Sequence, residues 1–298
     1  MPEATRPPAI PSASPPAEAD PAGAAASPAE PSPGARPADA PGAGSPGAGS
    51  PGHPLDNPAR SSLTGPHARF AERRGRVLRY HPDVTPWLAL PDDPGPQDWA
   101  DVAALAGAGA HLTLTAFREP PPTDWEIVFH ATGVQMVDDS VAAEPDREAS
   151  PLGPADVPEM LDLVARTRPG PFLPRTVELG TYLGIRRAGV LVAMAGERLH
   201  PSGWTEISAV CTDESVRGQG LAGRLVRAVA HGIRERGETP FLHAAASNTS
   251  AIRLYENLGF TLRRTTSFLS AIVPAGVPVP GDVRTPDRRA GNLEQVGR

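Results

Sequence analysis

The sequence predicts an α/β (α+β) chain: a mixed central sheet flanked by helices, preceded by a small α+β subdomain and bounded by two disordered tails. Three observations support that prediction. Strand-like runs and helical periods follow one another between residues 151 and 272. One strand, residues 205–212, passes through a glycine turn into an amphipathic helix. Proline, glycine, alanine and serine crowd the first 62 residues, with 16 of the 38 prolines before Ala59.

Residues 1–62 contain no Phe, Trp or Tyr, and Pro-Gly-Ala-Gly-Ser occurs twice in tandem at 41–50. Such a segment cannot bury enough apolar surface to offset the entropy of ordering it, so it reads as a flexible tail. A proline-rich ligand for a partner domain is the sharper alternative. Residues 63–140 supply apolar mass, including Phe70, Trp87 and Trp99. They read as a subdomain with a helix at 97–106 and strands at 111–117, 125–131 and 133–137. Residues 138–150 are acidic and linker-like.

The domain at 151–272 opens with a helix, Asp156 and Glu159 forming a capping box ahead of Met160, Leu161 and Val164. Strands at 181–187 and 190–199 form a hairpin around Ala188 and Gly189. Residues 205–212 are rich in β-branched side chains. From Leu221 the period changes: Leu221, Leu225, Val229 and Ile233 make an apolar stripe, with Arg224, Arg227, His231 and Arg234 opposite. Gly237 ends that helix. A strand at 240–245, a helix from Asn248 to Gly259 and one or two strands at 260–272 complete the domain. Residues 273–298 read as a second disordered tail.

The glycine turn has a chemical use. The first N–H groups of a helix lack intrahelical partners and carry the positive end of the helix dipole. Gly218 and Gly220 let a phosphate approach that backbone without a Cβ in the way, and Arg217 adds positive charge. The spacing is not G-x-G-x-x-G, and no Gly-Lys-Ser/Thr follows, so dinucleotide-binding and Walker readings are weak.

Arg217-Gly218-Gln219-Gly220-Leu221-Ala222 resembles motif A of the GNAT superfamily of acyl-CoA N-acyltransferases. About 30 residues on, Asn248-Thr-Ser-Ala-Ile-Arg-Leu-Tyr255-Glu-Asn-Leu-Gly259-Phe260 resembles that family's Asn-x-x-Ala-x-x-Leu-Tyr-x-x-x-Gly-Phe segment. The resemblance covers roughly residues 151–272 and implies the family's mixed-sheet core. It implies acetyl-CoA as co-substrate and an amine acceptor, small molecule or peptide, attacking directly in a ternary complex. On it, Arg217 to Ala222 hold the pyrophosphate, and the backbone amides of Val210, Cys211 and Thr212 hold the acyl carbonyl where the strand splays from its neighbour. Asn248 binds the CoA arm or simply caps its helix.

Tyr255 is the candidate acid, since a phenol near pKa 10 is protonated at neutral pH beside a thiol near 8.5; a packed core tyrosine is the alternative. Glu206 is the candidate base, its pKa raised by burial, with Glu197 as rival and a solvated strand carboxylate as the plain alternative. Arg168, Phe172, Arg175 and Tyr182 lie where the family's substrate loop would be. Residues 63–140 stand where glycine N-acyltransferase-type relatives carry a degenerate half-domain.

Composition narrows the rest. A net charge of −6 gives no nucleic-acid footprint. One cysteine excludes an internal disulfide and a cysteine-based zinc site. Cys211 follows no nucleophile pattern and reads as a packed strand residue. No apolar run suits a membrane helix or a signal peptide, so a cytoplasmic location is expected. The oligomeric state is open, a homodimer included. A non-catalytic acyl-CoA-binding module is the alternative from another class, and a nucleotide-binding protein is a third reading.

Overall fold

A computed structural model describes residues 52–115, 117 and 120–275. After a 3-10 turn at Pro54–Asp56 the chain forms α1 (Pro58–Leu63), then β1 (Ala71–Arg74), β2 (Val77–Tyr80) and β3 (Trp87–Ala89). α2 (Pro96–Ala106) crosses to β4 (His111–Thr115), and a long β5 (Glu126–Asp138) follows. The second half runs β6 (Ser150–Leu152), α3 (Val157–Thr167), β7 (Tyr182–Arg187), β8 (Val190–Glu197), β9 (Trp204–Thr212), α4 (Leu221–Glu235), β10 (Thr239–Ala245), α5 (Thr249–Leu258) and β11 (Phe260–Ile272).

All eleven strands join one sheet, in the order β1-β2-β3-β4-β11-β5-β10-β9-β8-β7-β6. The two halves repeat a pattern. In the first, β2 is antiparallel to β3, and α2 carries the chain to the parallel β4. In the second, β8 is antiparallel to β9, and α4 carries the chain to the parallel β10. A parallel pair needs such a crossover, because a tight turn can join only antiparallel strands. Each half then gives its last strand to the other. β5 pairs with β10, β11 pairs with β4, and β5 and β11 lie antiparallel along the middle.

This exchange corrects the expected domain plan. Residues 63–140 are not a separate subdomain, because β5 is a central strand of the sheet that carries β7 to β10. The expected linker at 138–150 is packed: Val141 is buried in the core beside α4, and Asp138 and Asp146 accept hydrogen bonds from Arg234 and Arg224. The expected N-terminal tail is too long at its end. Leu55, Ala59 and Leu63 are buried against Tyr80, Trp87 and Phe241. Val273, placed in the C-terminal tail, is also buried and exchanges backbone bonds with Gly109 and Ala110. The remainder of both expected tails, residues 1–51 and 276–298, lies outside the described residues.

Local readings differ at two points. The strands expected at 125–131 and 133–137 are one strand, β5. Gly133, expected to open the second of them, is where the Phe268 ring crosses: a Cβ there would sit 2.3 Å from a ring carbon. Glycine inside a strand marks such a close approach. Asp156 does not cap α3 through its side chain. It accepts from the Gly153 amide at 2.8 Å, closing a 3-10 turn one step earlier, and it shares Arg186 of β7 with Glu159.

The helices cover both faces. The apolar stripe of α4 packs on Ala193, Ala195, Ile207 and Leu242. Met160 and Leu163 of α3 pack on Leu191 and Met194. Along β8, Met194 alternates with Ala193 and Ala195, and a bulge at Val192 brings Leu191 to the Met194 face. The burial of Leu55 predicts that Leu55→Ala destabilises the fold by about 2–5 kcal/mol, the range for a large buried side chain that leaves a cavity. Urea unfolding measures it; a change near zero would return this residue to a dispensable tail.

Candidate functional site

The strand–turn–helix forms as its residues dictate. Asp213 Oδ1 accepts from the Ser215 amide at 3.0 Å and starts a 3-10 turn at Glu214–Val216. The chain then turns through Gly218 at φ 81° and Gly220 at φ 74°, left-handed conformations that glycine adopts without a Cβ penalty. Arg217, Gly218, Gln219 and Gly220 are all exposed. A Cβ on either glycine would meet no protein atom within 4 Å, so the space above the turn is open. Gly220 is the N-cap of α4 and offers no side-chain acceptor, and the first turn holds no acidic residue. The leading N–H groups of α4, from Leu221 and Ala222 onward, therefore face the open space as donors. Leu221 itself is buried and contributes its amide alone.

β9 opens beside this turn. Its parallel ladder with β10 ends at Ile207 opposite Leu242, so residues 208–212 have no strand partner on that side. Ala209 has φ 52°, and the register with β8 shifts between Met194 and Gly196. A bulge of this kind re-aims the backbone that follows. Val210 and Thr212 are half-buried, and the Thr212 hydroxyl has no partner among the described residues. The splay expected of this strand is thus present. The Cys211 side chain packs with Met160, Leu163 and Met194, and burial pushes its thiol up, which disfavours a thiolate.

α5 brings the second motif to the same end. Leu254 and Leu258 pack against α4 at Gly223, where a Cβ would lie 3.6 Å from each. Asn248 Oδ1 accepts from the Ala251 amide at 3.1 Å, so Asn248 caps α5. Tyr255 is 8% exposed and meets Phe260 edge-on at 6.2 Å. Burial alone pushes its phenol up to about 12, which keeps it protonated through neutral pH.

Glu206 has a different environment from the one expected. Its side chain is fully buried. Burial by itself would push the carboxyl up, as the sequence suggested. Arg198 overrides that with Nε and Nη2 donating to the two oxygens at 2.9 and 2.7 Å, and His243 Nδ1 adds a third bond at 2.7 Å. The charge of Arg198 and these bonds bring the pKa down to about 2. Glu206 is ionised, but no free oxygen points at the open end of β9. Glu197, the rival, is similarly held by Arg236 and the Thr181 amide. It lines a cavity of about 240 Å³ against the second half of α4, with Thr181, Leu183, Val229 and His231, away from the glycine turn.

The Glu206 network continues. Gln135 donates to the Leu55 carbonyl and lies 3.1 Å from His243 Nε2, while its oxygen accepts from Arg263. That fixes the Gln135 amide as the donor to Nε2 and places the His243 proton on Nδ1, facing Glu206. Arg263 also reaches Asp56. Sequence reasoning missed Arg198, His243, Gln135 and Arg263; a glutamate inside a strand of buried residues was the signal that such partners were needed. Phe172 and Tyr182, expected near a substrate loop, are buried edge-to-face at 5.5 Å, and Arg175 pairs with Glu178.

Comparison with known proteins agrees with this fold. Residues 182–269 match the FR47-like protein family. The crystal structure of a protein described as an acetyltransferase from the GNAT family of Novosphingobium aromaticivorans is 40% identical, with a TM-score of 0.68. The match covers 74% of this chain and 98% of that one. A mycothiol acetyltransferase of Thermomonospora curvata is 37% identical over 83 residues, and this chain spans only 28% of its length. Fold and matches together define an acyltransferase. The chain belongs to the GNAT family of N-acetyltransferases. Among the described residues no helix is long and apolar enough to cross a membrane.

Two predictions follow from this geometry. The depressed pKa of Glu206 means that its contribution to stability is complete above the ordinary carboxylate value of about 4.3 and is lost as pH falls through about 2. Stability measured by urea at pH 5, 4 and 3 should fall less steeply in Glu206→Gln than in the parent; equal slopes would remove this residue from the acid response. Gly220→Val places a branched side chain over the open turn. The fold should survive at a cost of about 1–2 kcal/mol for the left-handed backbone, while calorimetry should show CoA affinity reduced by on the order of tenfold or more as phosphate loses its approach. Unchanged affinity would make the turn purely structural.

Proposed function

We propose that the chain transfers an acetyl group from acetyl-CoA to a primary amine, small molecule or peptide, by direct attack in a ternary complex. The observation behind this reading is the juxtaposition of the open glycine turn at the uncapped start of α4 with the unpaired end of β9. The pyrophosphate lies on the amides of Gly218 to Ala222, with Arg217 beside it. Backbone amides of Val210 and Thr212, on the side of β9 that β10 leaves open, donate to the acyl oxygen as it takes negative charge, while the Cys211 amide faces Met194 of β8. The amine nitrogen bonds to the acyl carbon, and the carbon–sulfur bond then breaks. Asn248 keeps its amide group free for the CoA arm while its oxygen caps α5.

Tyr255 faces the departing sulfur in this reading. Its phenol at about 12 holds its proton more firmly than a thiol near 8.5. It therefore acts by donating a hydrogen bond to the thiolate as charge develops, with the proton shared as the sulfur leaves. With Glu206 and Glu197 both engaged, the ammonium proton leaves to solvent through the open end of the sheet.

Those two engaged carboxylates also favour a second reading, a non-catalytic acyl-CoA-binding module. Release of CoA thiol on mixing the protein with acetyl-CoA and an amine panel separates the two. Within the catalytic reading, Tyr255→Phe keeps the ring packed and removes the hydroxyl. CoA should still bind while turnover falls by on the order of 10²-fold. Full turnover with melting unchanged would remove Tyr255 from the mechanism.

A further inference from the structure

β5 is longer than the strand it pairs with. Its ladder with β10 ends at Gly133 opposite Ala245, and one further bond joins the Ala246 amide to the Thr132 carbonyl. Beyond that, residues 126–131 pair with β11 on one side only; among the described residues no strand pairs the other side. Ile127, Val128 and Phe129 are 49%, 44% and 50% exposed on this stretch, three of the five exposed large apolar side chains among the described residues. An exposed apolar edge of this length is a template for an added strand.

The register says where the edge leads. Leu242 is level with Ile207 of β9, and Ala245 with Gly133 of β5. Counted up the parallel strands, with the extra residue of the Ala209 bulge allowed for, Cys211 is about level with Gly133, and Thr212 with Thr132. β10 ends at this level, with Ala245 opposite Gly133 and Ala246 bonded to Thr132. A slot that one missing strand leaves open separates the proposed acyl-binding amides from the open edge of β5. Residues 126–131 rise above it for roughly 20 Å at the usual strand rise. The register also shifts in β5 between Ser270 and Ala271 of β11, which leaves Val128 without a partner in β11. Bulges occur beside active sites, where they redirect side chains.

We propose that residues 126–131 of β5 bind the acceptor, and that the acceptor is an extended peptide with apolar side chains near its free N-terminus. The inference rests on the acetyltransferase reading and names its substrate class. The peptide adds antiparallel to β5, its N-terminal amine at the level of Ala131, just beyond the Ala246–Thr132 bond, facing the acyl carbon across the slot. Main-chain bonds to the open edge hold it, and contacts with Ile127, Val128 and Phe129 select its side chains. A small amine could occupy the slot but would leave the edge unpaired.

The test uses the full chain with acetyl-CoA and follows CoA thiol release. Acceptors are hexapeptides with a free N-terminus carrying Val or Leu at positions two to four, the same peptides with Asp there, and a small primary amine such as ethylamine. The apolar peptides should show KM at least tenfold below the acidic ones. Phe129→Glu should raise KM for the apolar peptides about tenfold with little change in kcat, and leave kinetics with the small amine and melting temperature unaltered. A milder Ile127→Thr should act in the same direction. Acetylation of ethylamine with no preference among peptides, or with KM insensitive to both variants, overturns the proposal and leaves the acetyltransferase reading standing. No release with any amine, from protein that binds CoA, overturns both. A concentration-dependent dimer in light scattering that Phe129→Glu dissociates would assign the edge to a second copy and overturn peptide binding.

Discussion

A carboxylate with no exposure, placed in the middle of the sheet, constrains much of the rest. Glu206 can remain ionised there only with fixed donors on its oxygens, because an unpaired buried charge costs several kcal/mol. Arg198 and His243 supply them. Those partners need partners in turn, and the chain of bonds runs through Gln135 and Arg263 to Asp56. β9, β10, β5, β11 and the turn before α1 are thereby tied to one charge. The Arg198 guanidinium also lies 4.3 Å from the Trp87 ring centre, which brings in β3. Removing Arg198, His243 or Gln135 leaves a buried neighbour unpaired, and Arg263 ties the turn at Asp56 to the second half of the chain.

The same constraint positions the site. Glu206 is level with Phe241, where β9 and β10 are still paired. One residue further the ladder stops, and a bulge at Ala209 turns the backbone. The strands are held where the charge is buried and part where it is not, so the open end has a rigid floor. The proposed binding surface above that floor is largely main chain: glycine conformation, unpaired amides and the start of a helix. Such a surface costs little reorganisation when an anion arrives, because its donors are already held by α4.

Legibility in the sequence followed distance along the chain. The stripe of α4, the Gly218–Gly220 turn, the hairpin at Ala188 and the Asn248 cap depend on residues within one or two turns of each other, and each was readable. The exchange of β5 and β11 was not, because register between strands more than a hundred residues apart leaves no local pattern. The role of Leu55 was hidden by its neighbours, a lone leucine among prolines and polar residues. Glu206 was misread for a related reason. Burial was inferred from its own strand, but the arginine and histidine that reverse the effect of burial come from a turn and from another strand.

The repeated halves explain why one crossing suits an anion and the other does not. β3–α2–β4 repeats the topology of β9–α4–β10, and both helices begin at a glycine, Gly95 and Gly220. At α2 the third helical residue is Asp98, whose carboxylate accepts from the Gly95 amide at 2.8 Å. Its hydrogen bonds with Arg76 hold its pKa below the usual carboxylate range, so it is ionised at neutral pH. Asp92 and Asp93 stand just ahead of it in the chain. A phosphate arriving there meets negative charge already seated on the helix dipole. At α4 that seat has no carboxylate, the glycine is left-handed and Arg217 precedes it. The backbone topology is shared, and the side chains at the first turn decide which half can receive an anion.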